Sequence, residues 1–397
     1  MDLGEQALSG IFPKNGEPDS PKAPLVLVKC DSSHNAKACG LVQLKHSVSP
    51  DLMYIGSYGY RSGINSTMRE HLHDIVGTTL KKVHLENNDI VLDIGSNDGT
   101  LLKGYYNKNI RRIGIDPGGE QYQKYYPDDI VLVKDFFSAK NFETSFPGEK
   151  AKIITSIAMF YDLEDPLEFV RNIRQILHKE GVWVLEQSYL PTMLAMNSFD
   201  TVCHEHLEYY SFHQIEWMLK KCGLKAIDID FNDTNGGSFR ITVAHESSEY
   251  PSDSKIIEKT ISDEDRLELT TTKPYREFCE RVDHIGKELN DFLRKEKAKG
   301  KTIFIYGAST KGNVLLQYFK IDTSLITAAA DRNTEKFGCR TPGTGIPIIS
   351  EEDARKMKPD YFLVLPWHFR KEFIEREAEF LKSGGKFIFP LPKLEIV

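Results

Sequence analysis

Ionisable side chains concentrate in the run His204-Glu205-His206-Leu207-Glu208-Tyr209-Tyr210, with two histidines and two glutamates within five residues. A histidine titrates near neutral pH, and a carboxylate on its other ring nitrogen fixes the tautomer that accepts a proton. His206 is therefore a candidate general base, and Glu205 its candidate orienter. Neighbours in a strand point to opposite faces, so their cooperation requires a non-strand conformation. His204 reads as a hydrogen-bonding support. Cys203 lacks the Cys-His-Asn pattern of a thiol nucleophile.

Two glycine loops offer ligand chemistry of opposite sign. The first runs Val91-Leu92-Asp93-Ile94-Gly95-Ser96-Asn97-Asp98-Gly99-Thr100. Its G-x-x-x-G spacing differs from the dinucleotide G-x-G-x-x-G. Gly95 and Gly99 let the backbone approach a ligand. A loop for pyrophosphate wants free N–H groups and positive potential; here Asp93 and Asp98 flank the turn and no lysine enters it. That charge suits a cofactor bearing an ammonium and a sulfonium, which S-adenosylmethionine has. A second apolar run ends at Asp116-Pro117, its acid 21 positions after Gly95, placed for ribose hydroxyls. A third ends at Asp135-Phe136, with the acid for an adenine amino group and the ring to cover the base. The second loop, Tyr306-Gly307-Ala308-Ser309-Thr310-Lys311-Gly312, carries a lysine and hydroxyls and no acid. It predicts an anion site at a helix N-terminus, without Walker or NAD spacing.

The elements that position these residues form an α/β pattern. Strands are predicted at Ile90–Ile94, Arg112–Ile115, Ile130–Val133, Lys152–Ser156, Val182–Glu186, Lys225–Asp230 and Phe239–Ala244. Helices are predicted at Pro166–His178 and Ser211–Cys222. Residues 246–276 are polar and lead into a helix from Lys273 to Lys299, where Phe278, Val282, Ile285, Leu289 and Phe292 recur at helical spacing. A second α/β pattern follows, with strands Thr302–Tyr306, Thr327–Ala330, Tyr361–Leu365 and Lys386–Phe389 and helix Asn313–Phe319. Residues 1–65 hold only short apolar stretches, Pro24–Val28 and Leu41–Leu44. The expected division is 1–65, 66–245 and 246–397. A length of 397 residues suits several domains. With 51 Lys+Arg against 58 Asp+Glu, the net charge of -7 argues against nucleic acid as partner. No apolar run is long enough to span a bilayer and no signal peptide is visible, so a cytoplasmic protein without membrane contact is expected.

The chain resembles the nucleotide-sugar C-methyltransferases of deoxysugar pathways, a branch of class I S-adenosylmethionine-dependent methyltransferases. The carrying segments are Asp2–Gly10, Tyr58-Gly59-Tyr60-Arg61-Ser62-Gly63, Ser66–His71, the Gly95 loop, Phe199–His206, Gly236–Arg240, Tyr306–Gly312, Asp331-Arg332-Asn333 and Thr341–Thr344. The resemblance implies a class I Rossmann-like doubly wound sheet, flanked by a small irregular N-terminal domain and a second Rossmann-like domain. It implies methyl transfer to a carbon next to a ketone of a nucleotide-linked sugar, with His206 as base beside Glu205 and with Tyr60 reaching the site. Tyr161 stands where relatives carry a histidine, and Cys203 where they carry a tyrosine. Hydroxyls of Tyr60, Tyr161 or Tyr209 then serve the enolate oxygen. The C-terminal domain is expected to close over the substrate. Lys311 and Ser309 would meet its diphosphate, with Asn235 and Trp367-His368 on the cleft wall. Relatives hold zinc with two Cys-x-x-Cys pairs. This chain has Cys30 and Cys39, too few for a four-ligand site unless His34 and His46 join them, so no metal is expected.

Two other functions compete with this one. O-methylation would use the same cofactor and base. A non-catalytic nucleotide-sugar or cofactor-binding protein would have no use for the base-like cluster. The sequence leaves the oligomeric state open.

Overall fold

The computed structural model describes residues 1–31, 38–54 and 60–397; His34, Tyr58 and Gly59 lie outside them. Three sheets organise the described chain.

The central sheet has seven strands. Along the chain these are Ile90–Ile94, Arg111–Ile115, Ile130–Val133, Ala151–Ile157, Leu177–Ser188, Leu224–Asn232 and Ser238–His245. Numbered in that order, they lie side by side as 3-2-1-4-5-7-6, and only the last-formed strand runs antiparallel to its neighbours. Ile90–Ile94 is buried along its whole length, as a strand with parallel partners on both sides requires. The order reverses between strands 1 and 4, and ligands of open α/β sheets bind at the carboxyl ends there. Helix Pro166–Ile176 starts on an Asp165 cap with proline in its first turn and buries Phe169, Val170, Ile173 and Ile176.

A second, six-stranded sheet is parallel except for its last strand. Its first strand, Ile303–Tyr306, runs through the Gly307 loop into helix Thr310–Tyr318. The long helix Lys273–Ala298 precedes it.

Two differences from the sequence expectation have clear causes. The polar stretch before the long helix contains a helix of its own, Ser254–Arg266. Its inward face sets Ile256, Ile257 and Ile261 against the central core, with the fully buried positions taken by Thr260 and Glu264, and Glu264 accepts from Tyr189 Oη at 2.8 Å and from the His213 amide at 3.1 Å. The N-terminal unit is also more regular than its composition implies. Asp2–Ala7, Lys22–Lys29 and Val42–Leu44 form an antiparallel sheet, completed by Glu208–Tyr209 from the ionisable run. His204 fastens the same seam, its Nε2 lying 3.1 Å from the Ala23 carbonyl.

Candidate active site

A cleft of about 580 Å³ opens where the carboxyl ends of the two α/β sheets face each other. Gly95 sits at φ +69°, and a Cβ there would lie 3.1 Å from the Met159 side chain. Asp116 accepts from the Asn97 and Gly118 amides, each at 2.7 Å, one on each carboxylate oxygen. Asp93 accepts from Thr155 Oγ1 at 2.6 Å. Burial raises both carboxyls, that of Asp93 to about 7. Ser96, Pro117 and Phe136 share this wall.

Asp98, Gly99 and Asp135, expected at the cofactor, do not line the cleft. Asp98 is spent on structure: it takes the Gly63 amide at 3.0 Å and stands 3.8 Å from Arg61 Nε. Gly99 gives passage to the Tyr126 ring, which a Cβ would meet at 3.0 Å. Asp135 turns back to its own loop, accepting from the Phe136 amide at 2.7 Å and Asn141 Nδ2 at 2.9 Å.

His206, Tyr161, Cys203 and Glu205 also line the cleft, with Tyr60, whose carbonyl accepts from Asn97 Nδ2 at 3.2 Å. The His206 and Tyr161 rings are 4.2 Å apart at centroid. His206 Nδ1 lies 2.7 Å from the Thr201 carbonyl. A carbonyl only accepts, so Nδ1 carries the proton and Nε2 keeps its lone pair. Burial, reinforced by the Lys311 charge, pushes the imidazole down to about 3, so it is neutral at pH 7. The Glu205 carboxylate takes Ser9 Oγ at 3.3 Å, at the N-terminal unit, while the contact on His206 Nδ1 is the Thr201 carbonyl. Desolvation raises the phenol of Tyr60 to about 12 and also raises that of Tyr161, so both are donors at neutral pH. It also raises the Cys203 thiol, which leaves no thiolate for nucleophilic attack. Tyr209 lies behind His206, its hydroxyl 3.4 Å from the Thr201 carbonyl.

Ser309, Lys311 and His368 line the cleft from the second α/β unit, and Asn235 lines it from the first. Ser309 Oγ caps its own helix, accepting from the Gly312 amide at 3.1 Å. Trp367 is not a wall residue. It is buried, its indole N–H donates to Asp200 at 3.0 Å, and it wedges the junction behind the cleft. The second glycine loop is also less of an anion site than its composition implies. Asp331 takes the Ala308 amide at 2.9 Å and the Asn333 amide at 2.8 Å, as Asp116 does at the first loop.

Two further cleft residues, Glu186 and His71, carry no role in the sequence reading. Glu186, at the carboxyl end of a predicted strand, is buried and holds His71 Nε2, Arg240 Nε at 2.8 Å and Asn232 Nδ2 at 3.0 Å. Despite burial, His71 and Arg240 keep its carboxyl below the usual range. An acid at a strand tip was the available signal.

The first two cysteines, Cys30 and Cys39, are free. Among the described residues no group of three or more His, Cys, Asp or Glu side chains is arranged for a metal. Two thiols do not fit a structural zinc site, which takes four ligands.

Three family models match consecutive stretches of the chain. A putative zinc binding domain matches residues 1–54, a methyltransferase domain residues 64–229, and a C-methyltransferase C-terminal domain residues 233–392. The chain is 28% identical over 375 residues to the C-methyltransferase NovU of Streptomyces niveus, covering 94% of this chain and 87% of that protein. The mitomycin 7-O-methyltransferase MmcR aligns over 48% of this chain and 62% of its own, at 13% identity and a TM-score of 0.34. A complex of LepI with S-adenosylmethionine aligns over 42% and 46%, at 21% identity and a TM-score of 0.35. The matched domain and the acidic, glycine-lined cradle define a class I S-adenosylmethionine-dependent methyltransferase. Within that class the chain is similar to the C-methyltransferases, whose C-terminal domain model its residues 233–392 match. The cradle fits the cofactor: Asp93 and Asp116 are buried carboxylates without a cation beside them, and the Gly95 backbone leaves room for close approach.

Proposed function

We propose that the chain methylates a carbon next to a ketone of a nucleotide-linked sugar, with His206 as general base. The observation that carries this reading is the state of His206, a neutral ring held by the Thr201 carbonyl with Nε2 free to take a proton. When bound, S-adenosylmethionine supplies a methyl group on a positively charged sulfur. Asp93 and Asp116 hold the cofactor's ammonium and ribose hydroxyls, with Gly95, Ser96, Asn97, Pro117 and Phe136 around it. Tyr60 and Tyr161, protonated at neutral pH, donate toward the carbonyl oxygen. Asn235 and Ser309 face the sugar. Glu205 anchors the N-terminal segment at Ser9. The three units, 1–65, 66–245 and 246–397, divide the labour into anchoring, methyl donation and substrate closure.

The test is incubation with methyl-labelled cofactor and a panel of nucleotide-linked ketosugars, followed by NMR of the product. A new C–CH3 signal is expected. A new O–CH3 signal, or label transfer only to acceptors without a ketone, would overturn the carbon-acceptor reading and leave the methyltransferase class intact.

A further inference from the structure

Among the described residues Lys311 is a cleft cation with no ion-pair partner, Asp200 being the acid that acts on it from farther off. Arg332 stands 3.5 Å from Glu372, Arg376 stands 2.9 Å from Glu351, and Lys336 stands 3.9 Å from Asp331. Lys311 Nζ instead rests on two neutral oxygens, Thr201 Oγ1 at 3.4 Å and the Asn235 carbonyl at 3.3 Å. Both belong to the methyltransferase half, so the side chain crosses the cleft from the second α/β unit. Thr201 therefore receives His206 Nδ1 on its carbonyl at 2.7 Å, beside the Tyr209 hydroxyl, and the Lys311 ammonium on its hydroxyl. Base and cation converge on one residue.

We propose that Lys311 is a catalytic residue that holds the enolate oxygen formed when His206 removes the α-proton, rather than a ligand of the substrate's diphosphate. This deepens the function proposed above and rests on it. Proton removal from a carbon beside a ketone builds negative charge on an oxygen two bonds away. An ammonium close to the base is placed to meet it. In the balanced step, His206 Nε2 takes the proton, and the C–H electron pair becomes the C=C bond while the carbonyl pair moves to oxygen against Lys311. The carbon then forms its bond to the methyl group, the C–S pair stays on sulfur, and the ketone re-forms. The proton leaves later from His206.

Two observations favour a single oxygen over a diphosphate. A diphosphate needs several donors, yet Asp331 occupies the Ala308 amide and Ser309 Oγ the Gly312 amide. The groups around Lys311 are two histidines held neutral, His206 and His368, with Cys203 and Asp200 beyond. Lys311 is also one cause of the low basicity of His206. An enolate against the ammonium offsets that charge, so the base strengthens as the proton moves.

The experiment compares wild type, Lys311→Met and Lys311→Ala in three measurements. These are the melting-temperature rise with S-adenosylhomocysteine, calorimetric affinity for thymidine, uridine and guanosine diphosphates, and deuterium exchange at the α-carbon of the accepted ketosugar without cofactor. Lys311→Met is expected to keep the first two and to lose exchange by about 10²–10³-fold. Added ethylammonium should restore part of the exchange in Lys311→Ala. Exchange at the wild-type rate in Lys311→Met, coupled to a tenfold weaker diphosphate, would overturn the proposal and leave the underlying function standing. No exchange by wild type with any ketosugar would overturn both. Should Lys311→Met fail to bind cofactor, the Lys311→Ala rescue decides, and exchange indifferent to ethylammonium overturns the proposal.

Discussion

Buried carboxyls and imidazoles in the cleft titrate far from their ordinary values, and the directions make separate predictions. Asp93 is raised to about 7, chiefly by burial. Below that pH it is neutral and offers the cofactor's ammonium no charge; above it the carboxylate is formed. S-adenosylhomocysteine should therefore bind roughly tenfold tighter at pH 8 than at pH 6, by linkage. Calorimetry across that range is the check, and Asp93→Asn should bind weakly with a flat profile. An affinity independent of pH in wild type would mean that Asp93 is not the cofactor's partner. The low value for His206 makes the opposite point, because its neutral form is already complete well below neutral pH.

At the scale of elements, the strand Glu208–Tyr209 closes the N-terminal sheet and buries a carboxyl to do so. Burial, with the Glu164 charge, raises Glu208 to about 9, and its Oε2 has no hydrogen-bond partner in the structure. The folded state then holds a proton that the unfolded state releases above about 4.5. Stability contributed this way is present at low pH and falls as pH rises toward 9. Glu208→Gln keeps the shape without the charge. It should raise the melting temperature at pH 8 by about 2 °C or more and change little at pH 5. Zinc belongs to this scale too. Elemental analysis after purification without added metal should give well under one zinc per chain, and a stoichiometric, chelator-sensitive zinc would show that residues beyond Cys30 and Cys39 complete a site.

The same elements show what was legible in the sequence. Ile90–Ile94, Ile130–Val133 and Lys386–Phe389 have the predicted bounds, because each is a short run dominated by β-branched and aromatic residues, buried throughout only at Ile90–Ile94. The glycine loop, Asp93 and Asp116 were readable from charge at strand tips. Glu208–Tyr209 was not, since two residues pairing with Val42 and Gln43 leave no local period. Helix Ser254–Arg266 was hidden because its short isoleucine stripe, Ile256, Ile257 and Ile261, lies among charged residues and shares its inward face with the buried Glu264. The contacts of Asp135 with Asn141 and of Glu205 with Ser9 were not legible, because they depend on side-chain directions that spacing does not encode.

Across the whole molecule, the N-terminal unit stitches the two α/β units together. Gln317 on helix Thr310–Tyr318 brackets Ala7, accepting from its amide at 2.8 Å and donating to its carbonyl at 3.1 Å. Asn313 Nδ2 donates to the Ser9 carbonyl at 2.8 Å, and Ser9 in turn meets Glu205. Gln317→Ala leaves the buried Ala7 amide and carbonyl without these partners and should cost about 1–3 kcal/mol. Thermal denaturation reads that cost, and limited proteolysis should cut near the N-terminus first.

The central claim is that His206 removes a carbon-bound proton before methyl transfer. Its most direct measurement is deuterium exchange at the α-carbon of the accepted ketosugar in heavy water, with the cofactor left out. Wild type should exchange. His206→Asn should lose exchange and turnover by about 10²–10⁴-fold while still binding S-adenosylhomocysteine. Exchange and turnover retained in His206→Asn would contradict the account and move the base to another cleft residue.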